Sequence, residues 1–117
     1  MKIKLILFLF TLTSLLSCVT VGHLKTDDSV QSFPETNVNK ISIYSTKKID
    51  KEYIVLGELV TSSDSERNSK TSVNFLKKEA AKLGADAIIN LRLEYGTGFW
   101  TVAILSKGTA IKFINKD

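Results

Sequence analysis

The residues able to do chemistry in this 117-residue chain are few and far apart. Cys18 is its only cysteine and His23 its only histidine. Thiolate and imidazole are the donors that soft metals and most nucleophilic sites require. Neither residue lies in a segment with the periodicity of a helix or strand. Asp64 and Glu66 stand two apart in the polar run Ser62–Lys70. Paired carboxylates do acid–base work only where their surroundings push their pKa values apart, and nothing in that run would do so. A carboxylate metal site could draw on Glu58, Asp86 or Glu94, but their spacing does not call for one. Gly96-Thr97-Gly98 does not open a helix, so it reads as a hairpin turn rather than a phosphate cradle. An enzyme is therefore not expected, and no cofactor is implied.

The elements that would position such residues are clearer than the residues themselves. Val73, Leu76, Ala80 and Leu83 recur at helical spacing and predict an amphipathic helix within Lys70–Leu83. Ser69, Thr71 and Ser72 are candidate N-caps, and Gly84 stands where a left-handed C-terminal cap belongs. Lys77, Lys78 and Lys82 fall on the outer faces and read as solvated charge rather than an anion patch. After Gly84 the period changes to two. Ile89, Leu91, Leu93 and Tyr95 would share the buried face of a strand, with Asn90, Arg92 and Glu94 opposite.

Lys40–Tyr44 alternates and predicts a first strand. Tyr53–Thr61 predicts a second, covered on both faces, with Gly57 marking a bulge or a close backbone approach. Phe99–Ser106 predicts a fourth strand, and Thr109–Ile114 either continues it or adds a short last one. Phe99 and Trp100 are neighbours in that strand and would point to opposite faces. One belongs to the core, and the other is the candidate interface residue. The order β-β-α-β-β gives an α+β fold, one helix packed on a four- to five-stranded sheet.

The amino terminus has a different character. Lys2 and Lys4 precede the apolar run Ile3–Leu16, which is short for a bilayer span and reads as a cleaved export signal. It ends Leu15-Leu16-Ser17-Cys18 and so resembles a bacterial lipoprotein signal with its lipobox. The resemblance implies cleavage before Cys18 and acyl chains on Cys18, two or three of which anchor stably. The expected organisation is a signal peptide over 1–17, a lipidated amino terminus and flexible tether over 18–39, and a small α+β domain over 40–117. The tether would reach roughly 65 Å fully extended and would average about 25 Å. Val19 is not an aspartate, so in a Gram-negative host the anchor would sit in the outer membrane facing the periplasm.

Sixteen basic residues stand against twelve acidic ones, and loss of Lys2 and Lys4 with the signal leaves fourteen. The working protein is thus only mildly basic, and export argues against a nucleic-acid partner. With Cys18 modified no disulfide can form, so a domain of this size depends on its core or on oligomerisation.

The folded part resembles two families. Leu56-Gly57-Glu58, Leu83-Gly84-Ala85-Asp86-Ala87 and Gly108-Thr109-Ala110 are similar to the YbjQ-like family, which carries a heavy-metal-binding label. Its members form rings, so the resemblance implies a homo-oligomer. The lipobox, Ile43-Tyr44, Leu56-Gly57-Glu58 and Val102-Ala103-Ile104 are similar to the lipoprotein sensor of the Rcs envelope-stress relay. That sensor relies on two disulfides, which this chain cannot make. Together these features lead us to expect a membrane-anchored, non-enzymatic module that binds another envelope protein in stress sensing or assembly. A small-ligand or metal-binding module of the YbjQ-like type is the alternative.

Overall fold

The computed structural model describes residues 1–4, 20–24, 32–64, 68–97 and 102–115, with residues 20–24 and Asp64 described by their backbone alone. Five strands, β1 (Thr20–Leu24), β2 (Ser42–Ile43), β3 (Tyr53–Asp64), β4 (Ala87–Thr97) and β5 (Val102–Phe113), form one sheet in the order β1-β3-β5-β4-β2. The helix α1 (Ser69–Lys82) lies between β3 and β4 in sequence. β1–β3, β3–β5 and β5–β4 are antiparallel, whereas the short β2 runs parallel to β4. This is the α+β arrangement expected, with β5 unbroken through Lys107-Gly108.

α1 begins at Asn68, whose side-chain oxygen accepts from Thr71 N–H at 3.0 Å, rather than at Ser69, Thr71 or Ser72. Several polar residues in a row left the position open, and the one in extended conformation just outside the helix takes the role. Gly84 closes the helix at φ +77°, as its type predicts.

The buried helix face is turned slightly from the expected stripe. Leu76 and Ala80 are buried, with Ser72, Glu79 and Ala81 beside them, while Val73 is only half-buried. Ser72 is tolerated inside because Ser106 of β5 hydrogen-bonds its hydroxyl and Thr61 donates to its carbonyl. The core on this side joins Leu76, Ala80 and Ala81 to Leu59, Ile88 and Ala110. α1 can come this close because Gly108 has no side chain. A Cβ there would meet Ile88 Cγ2 at 2.6 Å and Leu76 Cδ2 at 3.3 Å. Ala87, Ile89 and Ile111 form a smaller cluster on the opposite face with Tyr44, Tyr53 and Phe113 around it.

Three expectations about the strands are corrected. First, β3 is not covered on both faces, since Ile54, Val55 and Val60 are exposed. Its pairing with β5 slips between Val55 and Gly57, the bulge that Gly57 suggested. Second, Ile89, Leu91, Leu93 and Tyr95 do not share a buried face. Asn90 adopts φ 55° and the register with β5 shifts between Ile89 and Arg92. The bulge resets the alternation, so Leu93 and Tyr95 turn to the same side as Ile88, where Ile88 meets the helix and they stand exposed. Third, Gly96 and Thr97 are still paired, opposite Ala103 and Val102, so the hairpin closes later than expected.

The stretch expected as a tether also contributes structure. Thr20–Leu24 is the edge strand β1, and residues 32–37 lie as a strap across the carboxyl end of α1. Thr36 donates its backbone N–H to Ala81 O at 3.1 Å and its hydroxyl to Ala85 O at 2.7 Å. The first adds a second donor to Ala81 O, which also accepts from Gly84 N–H at 2.9 Å, and the second reaches the carbonyl just beyond the helix end. Lys112 lies over the Phe33 ring at 5.0 Å and donates to Gly84 O at 2.9 Å, fixing the strap to β5 as well. A 3-10 turn, Val38–Lys40, then leads into β2.

Candidate functional site

The antiparallel register gives the sheet two distinct ends. At one, the strap, the carboxyl end of α1 and the start of β4 pack together. A shallow hollow of about 250 Å³ there is lined by Thr36, Asn37, Lys40, Ile41, Ala85 and Asp86. Its polar groups are largely engaged. Asp86 accepts from Phe113 N–H at 3.1 Å and pairs with Lys112 at 3.6 Å, and Thr36 is bound to Ala85.

The other end is built by the last residues of β3 and β4 and the first of β5. Ser63, Ile104 and Tyr95 stand side by side across three strands, followed by Asp64, Ala103 and Gly96, then by Val102 and Thr97. Ile104 is covered, but Leu93 and Val102 are exposed and Tyr95 retains 73% of its accessible surface. Leu93, Tyr95 and Thr97 pair with Ser106, Ile104 and Val102, so all three fall on the helix side of the sheet. Beyond Leu91, whose N–H donates to Tyr44 O at 3.1 Å, none of the described residues pairs with the outer edge of β4. This end is therefore a half-open apolar ribbon rather than a pocket.

The residues singled out from the sequence do not converge. Glu58 accepts from the Thr109 hydroxyl at 2.8 Å, Glu94 pairs with Lys107 at 2.8 Å, and Asp86 lies at the opposite end. No group of three or more potential metal ligands occurs among the described residues. Lys82 pairs with Glu79, and Lys78 lies over Phe75 at 5.5 Å, so part of the lysine face is engaged in packing the helix surface. Lys77 is half-buried. Cys18, Glu66, Phe99 and Trp100 lie outside the described residues, as do the side chains of His23 and Asp64. Tyr95, Leu93 and Val102 were not found by sequence reasoning, because unbroken alternation places Leu93 and Tyr95 in the core. The strap was also missed, although an aromatic beside a proline in a polar run, Phe33-Pro34, was a signal for it.

Residues 52–114, more than half of the chain, match the sequence profile of the YbjQ-like family, described as "Putative heavy-metal-binding". The chain belongs to this family. A UPF0145 protein of Enterococcus faecalis is 38% identical over 63 residues, which cover 52% of this chain and 61% of that protein. The chain thus spans less than two thirds of that relative. The Francisella virulence factor FvfA has the same fold, with a TM-score of 0.58 at 16% identity over 80% of this chain and 98% of that one. The matched YbjQ-like region runs from just before β3 to just after β5, so β1 and the strap lie outside it. A heavy-metal centre needs soft donors, and the YbjQ-like region of this chain has neither Cys nor His. Glu58, Asp86 and Glu94 are separately bonded as described, so these residues do not fit such a centre.

Proposed function

We propose that this YbjQ-like chain is a non-enzymatic binding module, held on a membrane of the cell envelope by acyl chains on Cys18. One observation carries the reading. The exposed apolar end formed by Leu93, Tyr95 and Val102 is also the end at which β1 leads back to Cys18, since Thr20 stands opposite Ser62. An anchor and a contact surface on one side make a domain that works at the membrane. Outer-membrane attachment, with the domain facing the periplasm, follows from Val19 in a Gram-negative host. Envelope-stress sensing through another envelope protein, suggested by the resemblance to the Rcs sensor, is a specialisation of this reading. Cys18→Ser is expected to abolish both acylation and cleavage, leaving a protein that keeps Met1–Ser17 and carries no diacylglyceryl group by mass. A variant still cleaved before position 18 would remove the anchor from the reading.

The family description favours a second reading, a metal-binding module. The soft donors Cys18 and His23 lie in the amino-terminal stretch, and acylation would take the sulfur from any metal. Ligand binding to the native state raises its stability by RT ln(1 + [L]/Kd), about 2.7 kcal/mol at a hundredfold excess over Kd. On the first reading, a panel of divalent ions shifts the melting temperature of the full chain, with its native modification at Cys18, by less than one degree. A reproducible rise with one soft ion would favour the second.

A further inference from the structure

We propose that the β4–β5 end is itself a lipid-contacting surface, a second point of attachment beside the acyl chains. The inference rests on the anchored reading and names the partner of that surface. Thr20, Ser62, Leu105 and Glu94 form one row across the sheet. Tyr95 stands one row beyond it, and Thr97 and Val102 three rows beyond. At about 3.4 Å per row, the ribbon projects roughly 10 Å past Thr20. Cys18 is two residues before Thr20, within about 7 Å along the chain. Strand spacing of about 4.8 Å puts β4 some 14 Å to the side of β1. A bilayer that holds Cys18 therefore lies within reach of Tyr95 and Val102 with no long linker between them. Such a link makes contact with lipid an intramolecular event at high effective concentration.

The side chains suit that place. Tyr95 is an amphipathic ring of the kind that settles at headgroup level, and Val102 and Leu93 add apolar surface. Asp64 falls in the row between Tyr95 and Val102. The contact is therefore apolar rather than electrostatic, and it should form on phosphatidylcholine and resist salt.

The test uses the full chain with its native amino-terminal modification, reconstituted in phosphatidylcholine vesicles. A nitroxide label on Tyr95→Cys should collide with membrane-dissolved oxygen and not with a water-soluble nickel chelate. Aqueous exposure of the label, with acyl chains present on Cys18 by mass, overturns the proposal and leaves the anchor standing. A mass without acyl chains overturns the anchor and the proposal with it. A label at position 95 screened from both lipid and water also overturns it, giving the surface to a protein.

Discussion

Gly84→Ala is expected to be among the most destabilising single-methyl changes in this chain, lowering stability by about 2–5 kcal/mol. Two causes act together. Gly84 stands at φ +77°, where an L side chain costs roughly 1–2 kcal/mol. The added Cβ would also lie 2.6 Å from Phe33 Cβ and 2.7 Å from Pro34 O, and such overpacking costs about 1–3 kcal/mol. The causes can be separated with Gly84→Asn, because asparagine tolerates the left-handed conformation but still carries a Cβ. If the strap is seated on the helix end, Asn is nearly as damaging as Ala. If Asn restores the melting temperature, the conformational cost alone is at work and the strap does not press on Gly84. The result bears on function because the strap joins the edge strand β1 to the rest of the fold.

Leu76→Ala is expected to cost a similar amount, about 2–5 kcal/mol, for a different reason. Leu76 is wholly buried at the centre of the helix–sheet interface, and its Cδ2 lies over Gly108 in the position where a side chain on β5 would stand. Removing it leaves a cavity against Ile88 that neighbouring backbone cannot fill. In a domain of this size each kcal/mol corresponds to roughly 4–8 °C in Tm. The melting temperature should therefore fall by at least about 8 °C. Leu76→Met, nearly equal in volume, should lose less than about 1.5 kcal/mol. Equal melting temperatures for the Ala variant and the parent would mean that α1 is not docked where Gly108 admits it.

The fold was legible where local chemistry and burial agree. Leu76 and Ala80 at helical spacing, Gly84 as the stop and Gly57 as a bulge each act within a few residues. What was not legible depends on partners distant in sequence. Asn90 gives no local sign that the chain turns left-handed there, yet its bulge moves Leu93 and Tyr95 to the helix side of the sheet, where they stand exposed. Ser72 reads as a candidate N-cap, whereas Ser106, 34 residues later, supplies the hydrogen bond that lets it be buried inside the helix face. Thr20–Leu24 lacks the alternation of a half-buried strand because its place at the edge depends on β3 rather than on its own pattern.

The same division applies to the candidate site. Cys18, Phe99 and Trp100 could be named from residue type and from the end of an apolar run. That Thr20 and Tyr95 lie at the same end of the sheet follows only from the antiparallel register of β1, β3, β5 and β4. The scatter of Glu58, Asp86 and Glu94 agrees with their irregular spacing, and each serves a neighbouring strand or lysine instead.

The central claim is that Cys18 carries lipid and so holds this end of the domain at the membrane. The mass of the amino-terminal peptide of the protein purified from its host's membranes tests it most directly. The account predicts a peptide that begins at Cys18 and is heavier by a diacylglyceryl group, with or without an amide-linked acyl chain. A peptide that retains Met1–Ser17, or one that begins elsewhere with a free Cys18 thiol, would contradict it. The free thiol would also return Cys18 to His23 as a soft donor, and the metal-binding reading would then take precedence.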